Sequence, residues 1–117
     1  MEWKQGEFEI STDKKRLQVD NSTCFGLFHG ERQIGFARVV SDQATFAYLG
    51  DVFVIEEFRG RGLSKWLMEV IVGHPDLQGL RRWVLATRDA HGLYQQFEFG
   101  DLRHPERWME KTAPDAY

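Results

Sequence analysis

The sequence has only one cysteine, Cys24, and three prolines in 117 residues, so no disulfide can form within the chain. No apolar run approaches the roughly 20 residues needed to span a bilayer. The first residues do not read as a secretory signal, and there are no internal repeats or low-complexity tracts. These absences predict a cytoplasmic protein in a reducing compartment, folded around its own core without covalent staples.

Excess charge is also missing. The formal net charge is −3, which gives no reason to expect nucleic-acid or membrane-surface binding. The four histidines are scattered without metal-ligand spacing, so no metal site is predicted. What is present is a hydrophobic content of 42%, including 14% aromatic residues, which is typical of a globular chain. A length of 117 residues predicts a single domain over residues 1–117.

The first half of the chain is dominated by strand patterns. Four segments alternate or are rich in β-forming residues: Phe8–Ile10, Thr23–His29, Gln33–Ser41 and Thr45–Ile55. In the third segment the even positions from Ile34 to Val40 are predicted to face one way and the odd positions the other. The last segment is predicted to be a central strand covered on both faces. Residues 11–22 are polar and show no clear period.

The second half changes to helical periodicity. Apolar residues spaced for one face of a helix run from Leu63 to Val72, and the Gly73-His74-Pro75 sequence ends that helix. A buried strand, Trp83–Ala86, follows and is expected to lie parallel to the central strand. A short helix over 90–97, capped by Asp89, and an extended piece over 99–109 complete the chain, with residues 115–117 as a loose tail. The pattern predicts an α+β fold with a mixed, mainly antiparallel central sheet flanked by helices.

A glycine- and arginine-rich turn, Arg59-Gly60-Arg61-Gly62-Leu63-Ser64, joins the central strand to the first long helix. Free N–H groups at a helix N-terminus bind anions, and glycines let a phosphate approach that backbone closely. The turn is neither a P-loop nor a dinucleotide-binding fingerprint, because the required glycine and lysine spacings are absent. The alternative is a tight strand-to-helix connection with solvated arginines.

These residues resemble the Gln/Arg-x-x-Gly-x-Gly/Ala signature of the GNAT superfamily of acetyl-CoA-dependent N-acetyltransferases. The preceding YLGDVFVIEEF is similar to that family's central strand, and LATRDAHGLYQQFEF to its tyrosine-bearing strand–helix segment. The resemblance spans roughly residues 23–110. It implies a GNAT-like fold, acetyl-CoA as co-substrate, no metal, and direct attack of an amine on the thioester.

The sequence departs from the family pattern at several positions. Ser64 replaces the last Gly or Ala of the signature, Thr87 an asparagine that contacts the cofactor in many members, and Glu98 a glycine. Gly50 stands where several relatives carry a glutamate. Residues 11–22 are shorter than the family's usual helical connection, which helps to wall the acceptor site.

The resemblance implies three cofactor-binding groups. The diphosphate would lie on the backbone of Gly60, Arg61, Gly62, Leu63, Ser64 and Lys65, with Arg59, Arg61 and Lys65 adding charge. The pantetheine arm would pair with the edge of the strand at Phe53, Val54 and Ile55, and a Val54 N–H would stabilise the oxyanion. Thr87 is the third. For each basic side chain, a solvated surface residue is the alternative.

Two side chains are predicted to be catalytic. Tyr94 matches the family's acid tyrosine and would stabilise the departing thiolate; the alternative is a tyrosine that only packs against Phe97. Asp51 could act as a base through water or simply anchor a neighbouring loop. His91, three residues before Tyr94, could relay a proton or be a partly exposed helix residue.

The function predicted from this resemblance is acetyl transfer from acetyl-CoA to a primary amine, expected to be a small molecule. The alternative is a non-catalytic CoA-binding sensor or assembly module, favoured by Gly50, Thr87 and the short 11–22 segment. The third alternative is a structural domain without a nucleotide ligand. A homodimer is the partner arrangement that exposed apolar surface would favour.

Overall fold

The computed structural model describes residues 1–19 and 22–115, which contain one sheet of six strands ordered β1–β2–β3–β4–β5–β6. The strands are β1 (Glu2–Gln5), β2 (Phe8–Ser11), β3 (Thr23–His29), β4 (Arg32–Ser41), β5 (Phe46–Val54) and β6 (Arg82–Leu85). All neighbours are antiparallel except β5 and β6, which are parallel. The mixed, mainly antiparallel sheet predicted from the sequence is confirmed.

Helices pack on this sheet. They are α1 (Lys14–Leu17), α2 (Leu63–Val72) and α3 (His91–Gln95), with single 3₁₀ turns at Glu56–Phe58, Pro75–Leu77 and Pro105–Arg107. The bounds predicted for α2 are confirmed, with Gly73 as its C-cap. Its apolar face is buried against the sheet, and each fully buried side chain stabilises the fold by about 1.5–3 kcal/mol.

Two elements near the N-terminus escape the sequence pattern. β1 shows no apolar alternation, since only Trp3 is partly buried, but its backbone pairs with β2 along its whole length. α1 forms within the segment predicted to lack a period. Asp13 caps it by accepting the Lys15 N–H at 3.0 Å, and Leu17 fills the space beside Gly26. Residues 20 and 21 of that segment lie outside the described residues.

Bulges correct two predictions about which side chains face the core. In β4, Ile34 is buried together with Ala37, because Ile34 is an extra residue in β4 where its register with β3 shifts between Leu27 and Phe28. In β5, Asp51 adopts a left-handed φ of 54°. The prediction that β5 is covered on both faces is wrong, because its side chains alternate between buried and exposed or half-buried positions along the strand.

The C-terminal predictions are confirmed in part. The helix after β6 is shorter than expected, and the Asp89 cap is wrong: Ala90 occupies the cap position and its N–H donates to Thr87 Oγ1 at 3.0 Å. The extended piece predicted over 99–109 forms no strand, because it offers no alternating apolar face to pair with β6. The turn beginning at Pro105 is present. Of the predicted tail, residues 116 and 117 lie outside the described residues.

His74 is a buried polar residue whose surroundings disfavour the protonated imidazole. Its Nδ1 accepts the Asp76 N–H at 3.1 Å, and its ring packs near Trp3 and Phe25. Burial lowers its pKa from the usual 6.5; Asp76 opposes this shift and the N-terminal ammonium reinforces it. The unfolded chain therefore binds the proton first as pH falls, so folding stability is lost progressively below about pH 6.5.

We expect a lower free energy of unfolding at pH 5.5 than at pH 7.5, measured by urea denaturation at both values. In the matched variant His74→Asn, the amide oxygen can still cap the turn but does not titrate. The difference between the two pH values should therefore shrink in that variant. An equal pH dependence in both proteins would show that His74 is not its source.

Candidate active site

A gap opens in the sheet between β5 and β6. The parallel pairing ends at Leu49 opposite Leu85, but β5 continues to Val54 without a neighbour on that side. The bulge at Asp51 lies at the start of this unpaired stretch. The free backbone edge can therefore accept an extended, amide-rich ligand in the way that a peptide adds to a sheet.

The phosphate loop, defined here as residues 59–65, lies beyond the end of this unpaired edge. Gly60 and Gly62 have φ values of 79° and 76°, which favour glycine. The first hydrogen bond of α2 runs from the Trp66 N–H to the Gly62 carbonyl at 3.1 Å. Among the described residues, the N–H groups from Gly60 to Lys65 find no acceptor in the hydrogen bonds of the structure, so they are available to an anion.

The three basic side chains of the loop have different environments. Arg59 turns back to β5, where its Nε donates to the Val54 carbonyl at 2.8 Å. Arg61 lies over the ring of Phe58, with Cζ 4.9 Å from the ring centroid. Lys65 is exposed on the first turn of α2. Leu63 is buried, so its contribution to ligand binding is limited to its backbone N–H.

In the segment predicted to bind pantetheine, Phe53–Ile55, the backbone polar groups of one residue, Val54, face the gap. The Ile55 N–H donates to the Ile34 carbonyl at 2.9 Å and is therefore used within the sheet. The Val54 carbonyl faces the other side, where Arg59 reaches it, and the N–H of an extended residue points the same way as its carbonyl. The Phe53 side chain is 49% exposed and stacks with Phe36 at 6.3 Å.

Tyr94 lines a cavity of about 300 Å³ between β6 and α3, together with Leu85, Thr87 and His91. Its ring is buried and packs edge-on to Phe99 at 6.1 Å. The hydroxyl makes no hydrogen bond to another described residue. Burial raises the pKa of Tyr94, so the phenol stays protonated and can donate a hydrogen bond at neutral pH.

The predicted packing partner of Tyr94 is different in the structure. The ring contacts that of Phe99, while Phe97 is half-buried in the same core. Thr87 lines the cavity and also holds the start of α3 through its hydroxyl, as described above. His91 is exposed on the first turn of α3.

Asp51 lies on the sheet face opposite α2 and forms an ion pair. Its Oδ2 accepts from Arg38 Nη1 at 3.0 Å, and both side chains are partly exposed. Neither residue touches the Tyr94 cavity. The sequence alternative for Asp51 was an anchor for a neighbouring loop, whereas its partner in the structure, Arg38, lies within β4.

Sequence reasoning missed two features of the site. One is the Arg59 link to β5, for which no signal existed because the two groups meet only after the chain turns. The other is Tyr48, whose ring leans over Gly50, so that a Cβ at Gly50 would lie 2.9 Å from Tyr48 Cε1. The even spacing of the two positions on a strand could have indicated that contact.

A second concave surface lies outside the predicted site. A larger groove of about 660 Å³ runs beside β6 and residues 96–103, but none of the predicted site residues lines it. Within residues 1–19 and 22–115 no cluster of His, Cys, Asp and Glu is arranged to hold a metal ion. Among the described helices, none has the length and apolar character needed to cross a bilayer.

Known proteins share both the sequence pattern and the fold. The acetyltransferase (GNAT) family pattern matches residues 1–99. A candidate GNAT-family acetyltransferase from Xanthomonas campestris pv. campestris, known from a crystal structure, is 46% identical with a TM-score of 0.86, covering 92% of this chain and 94% of its own. A candidate acetyltransferase of Gibberella zeae is 27% identical over 79% of this chain and 78% of its own.

A more distant structure, a candidate acetyltransferase from Clostridium acetobutylicum solved with acetyl-CoA, is 13% identical with a TM-score of 0.58. It covers 76% of this chain and 62% of that one, and it shows similarity of fold alone. The family match over most of the sequence and the close structural relative lead to one conclusion: this chain belongs to the acetyltransferase (GNAT) family, whose members use acetyl-CoA as co-substrate.

Proposed function

We propose that this protein transfers the acetyl group of acetyl-CoA to the primary amine of a small molecule, by direct attack within a ternary complex. The observation that carries the proposal is the gap between β5 and β6. The unpaired edge of β5 begins opposite Leu85, which also lines the Tyr94 cavity, and it ends shortly before the phosphate loop with its free N–H groups. A long ligand with a diphosphate at one end and a thioester at the other matches that arrangement.

Binding of the donor would rest mainly on backbone groups. Several N–H groups converge on the start of α2, and the helix dipole adds a partial positive charge there. Lys65 and Arg61 supply further positive charge near the same point. Arg59 would act differently: by holding the Val54 carbonyl it fixes the peptide whose neighbouring N–H faces the gap.

The reaction forms an N–C bond and breaks the C–S bond, so negative charge moves first to the carbonyl oxygen and then to sulfur. The Val54 N–H is suited to the oxygen, a role that typically contributes 10²–10³ in rate. Tyr94 is suited to the sulfur. A phenol with a pKa of about 10 is already a weaker acid than a thiol at about 8.5, and burial widens the difference. Tyr94 would therefore donate a hydrogen bond rather than transfer its proton.

The acceptor must lose a proton before it attacks. For an alkylamine with a pKa of about 10.4, this costs roughly 4–5 kcal/mol at pH 7. Asp51 lies at the start of the unpaired stretch of β5, and it is proposed to take this proton through water. A glutamate at Gly50 would not fit without moving Tyr48.

The experiment that tests this proposal follows free thiol after acetyl-CoA is mixed with the protein and a panel of primary amines. The only cysteine, Cys24, is buried, so a thiol reagent reports released CoA with little background. We expect thiol release that depends on an amine, and a product heavier by one acetyl group. Reactions without amine give the rate of simple hydrolysis.

Calorimetry with acetyl-CoA completes the test. Binding without thiol release from any amine would contradict N-acetylation of a small molecule and favour the non-catalytic CoA-binding module. Absence of binding to any CoA ester would contradict the proposal that acetyl-CoA is the acetyl donor. Thiol release with peptides but not with small amines would retain the chemistry and change the acceptor.

A further inference from the structure

The sheet face opposite α2 is open at its centre and carries an aromatic patch, defined here as Phe36, Val40, Tyr48 and Phe53. The exposed fractions are 50% for Val40, 49% for Phe53 and 37% for Tyr48. Phe36 and Phe53 stack with their ring planes 30° apart. Towards β3 the same face is closed, because Arg16 of α1 lies over the ring of Phe28.

A carboxylate lies beside this patch at the position where the sheet opens. Asp51 occupies the bulge of β5, and Arg38 is held within 5.5 Å of the Phe36 ring centroid while it binds Asp51 Oδ2. The second oxygen, Oδ1, accepts no hydrogen bond from the described residues. Arg38 therefore fixes the carboxylate and leaves one oxygen free to accept from an N–H donor.

The patch is the accessible side of the gap. On the opposite face, β5 contributes Ala47, Leu49 and Val54 to the buried core that α2 and Tyr94 also enter. A donor that lies along the unpaired edge with its thioester near Tyr94 leaves only the open face for a second substrate. An acceptor that reaches the thioester would therefore cross the aromatic patch and pass Asp51.

The size of the patch fits a small molecule better than a protein. An aromatic side chain contributes about 150–250 Å², so the patch exposes on the order of 300 Å² of apolar surface. A stable protein interface needs about 800 Å² from each partner. Rings beside a carboxylate also favour an amine that carries an aromatic or other apolar group, since the rings contact its body and attract its cation.

We propose that Asp51 and the aromatic patch form the acceptor site, and that its substrates are primary amines attached to an aromatic or similarly apolar body. The inference rests on the proposed function. Asp51 Oδ1 accepts the N–H of the amine, Arg38 is the positioning residue that holds Asp51, and Phe53 and Tyr48 contact the apolar group. The contacts with the rings of Phe53 and Tyr48 are what distinguish these substrates from small polar amines.

The test compares two probes at saturating acetyl-CoA: 2-phenylethylamine and ethanolamine. We expect kcat/KM for 2-phenylethylamine to exceed that for ethanolamine by at least about 10-fold, a difference equivalent to about 1.4 kcal/mol of ring contact. Phe53→Ala should raise KM for 2-phenylethylamine about 10-fold and change KM for ethanolamine much less. Trp108→Ala is the control, because Trp108 is an aromatic residue that is 37% exposed and lies outside the sheet, over Arg82.

Asp51→Asn tests the carboxylate. The amide oxygen can keep the hydrogen bond from Arg38, and asparagine tolerates the left-handed backbone, so the fold should be retained. We expect a fall of about 10-fold or more in kcat/KM for both amines and unchanged affinity for acetyl-CoA. Asp89→Asn, at another exposed aspartate, should behave as wild type. Wild-type kinetics in Asp51→Asn would overturn this inference, and so would equal kcat/KM values for the two amines. In either case, thiol release that depends on an amine would still support the proposed function.

Direct binding separates the two proposals further. Calorimetry of 2-phenylethylamine with the CoA-bound protein measures the affinity of the amine for the aromatic patch without turnover. Phe53→Ala should weaken that binding. If no amine causes thiol release, the proposed function is wrong, but the calorimetric measurement of amine binding still tests the acceptor site. Sedimentation tests the alternative occupant of the patch, a second copy of this chain. A wild-type dimer that dissociates in the Phe53→Asp variant would show that the second copy covers the patch.

Discussion

Gly62→Asp is expected to weaken acetyl-CoA binding by at least about 100-fold, equivalent to about 2.7 kcal/mol. Gly62 is the N-cap of α2, with a φ of 76° and no atom within 4 Å of where its Cβ would lie. A carboxylate at this point would crowd the phosphate loop and repel a diphosphate. Two like charges 4 Å apart cost about 1 kcal/mol in water and about 4 kcal/mol near a protein surface. Isothermal calorimetry measures the loss.

Two control variants separate charge from backbone strain. Gly62→Asn has the same shape and the same tolerance of a left-handed backbone, so its affinity should fall much less than that of the aspartate variant. Gly79→Asp places the same change at another positive-φ glycine, with a φ of 72°, in a turn away from the loop. It should bind acetyl-CoA normally. Equal affinities of the aspartate and asparagine variants at Gly62 would contradict phosphate binding there.

Tyr94→Phe is expected to lower kcat by about 10- to 100-fold while acetyl-CoA affinity stays within about 2-fold of wild type. The ring supplies the packing against Phe99, and phenylalanine keeps it, so the melting temperature should change little. What is lost is one hydrogen bond to the departing sulfur. Such a bond to a charged partner is worth about 1.5–3 kcal/mol, which corresponds to this range of rate. Steady-state thiol release measures kcat.

The pH dependence gives a second measure of the same group. Because burial raises the pKa of Tyr94, the phenol remains protonated over the neutral range and should not limit kcat there. Tyr48→Phe is a matched control for acetyl-CoA binding, since its ring lies on the other face of the sheet over Gly50. Unchanged kcat in Tyr94→Phe would remove this residue from the mechanism.

Local pattern was enough to predict most of the regular structure. Apolar spacing located α2 to the residue, because its six buried side chains alone decide which face meets the sheet. Thr23–His29 was equally well defined, since all but its end residues are buried. β1 and α1 were missed because backbone pairing in the first case and the Asp13 cap in the second stabilise them, with little apolar pattern.

Bulges explain the errors about facing. A period-2 pattern assumes an unbroken strand, and each extra residue moves every later side chain to the other face. Ile34 is buried because of the bulge in β4 opposite β3, and Phe53 is exposed because of the bulge in β5 at Asp51. The Asp89 cap is wrong because the helix begins one residue later than predicted: Ala90 is its N-cap, and no side chain caps it.

Local sequence was enough to predict the glycine-rich turn at residues 59–65, the helix that follows it and a tyrosine on the next helix, because each depends on residues close together in the chain. Folding of the whole chain separates β6 from β5 after Leu49, brings Arg59 to the Val54 carbonyl and brings Arg38 to Asp51 beside exposed rings. Those contacts join residues from different elements. Their geometry depends on where strands end and bulge, which no local spacing of side chains encodes.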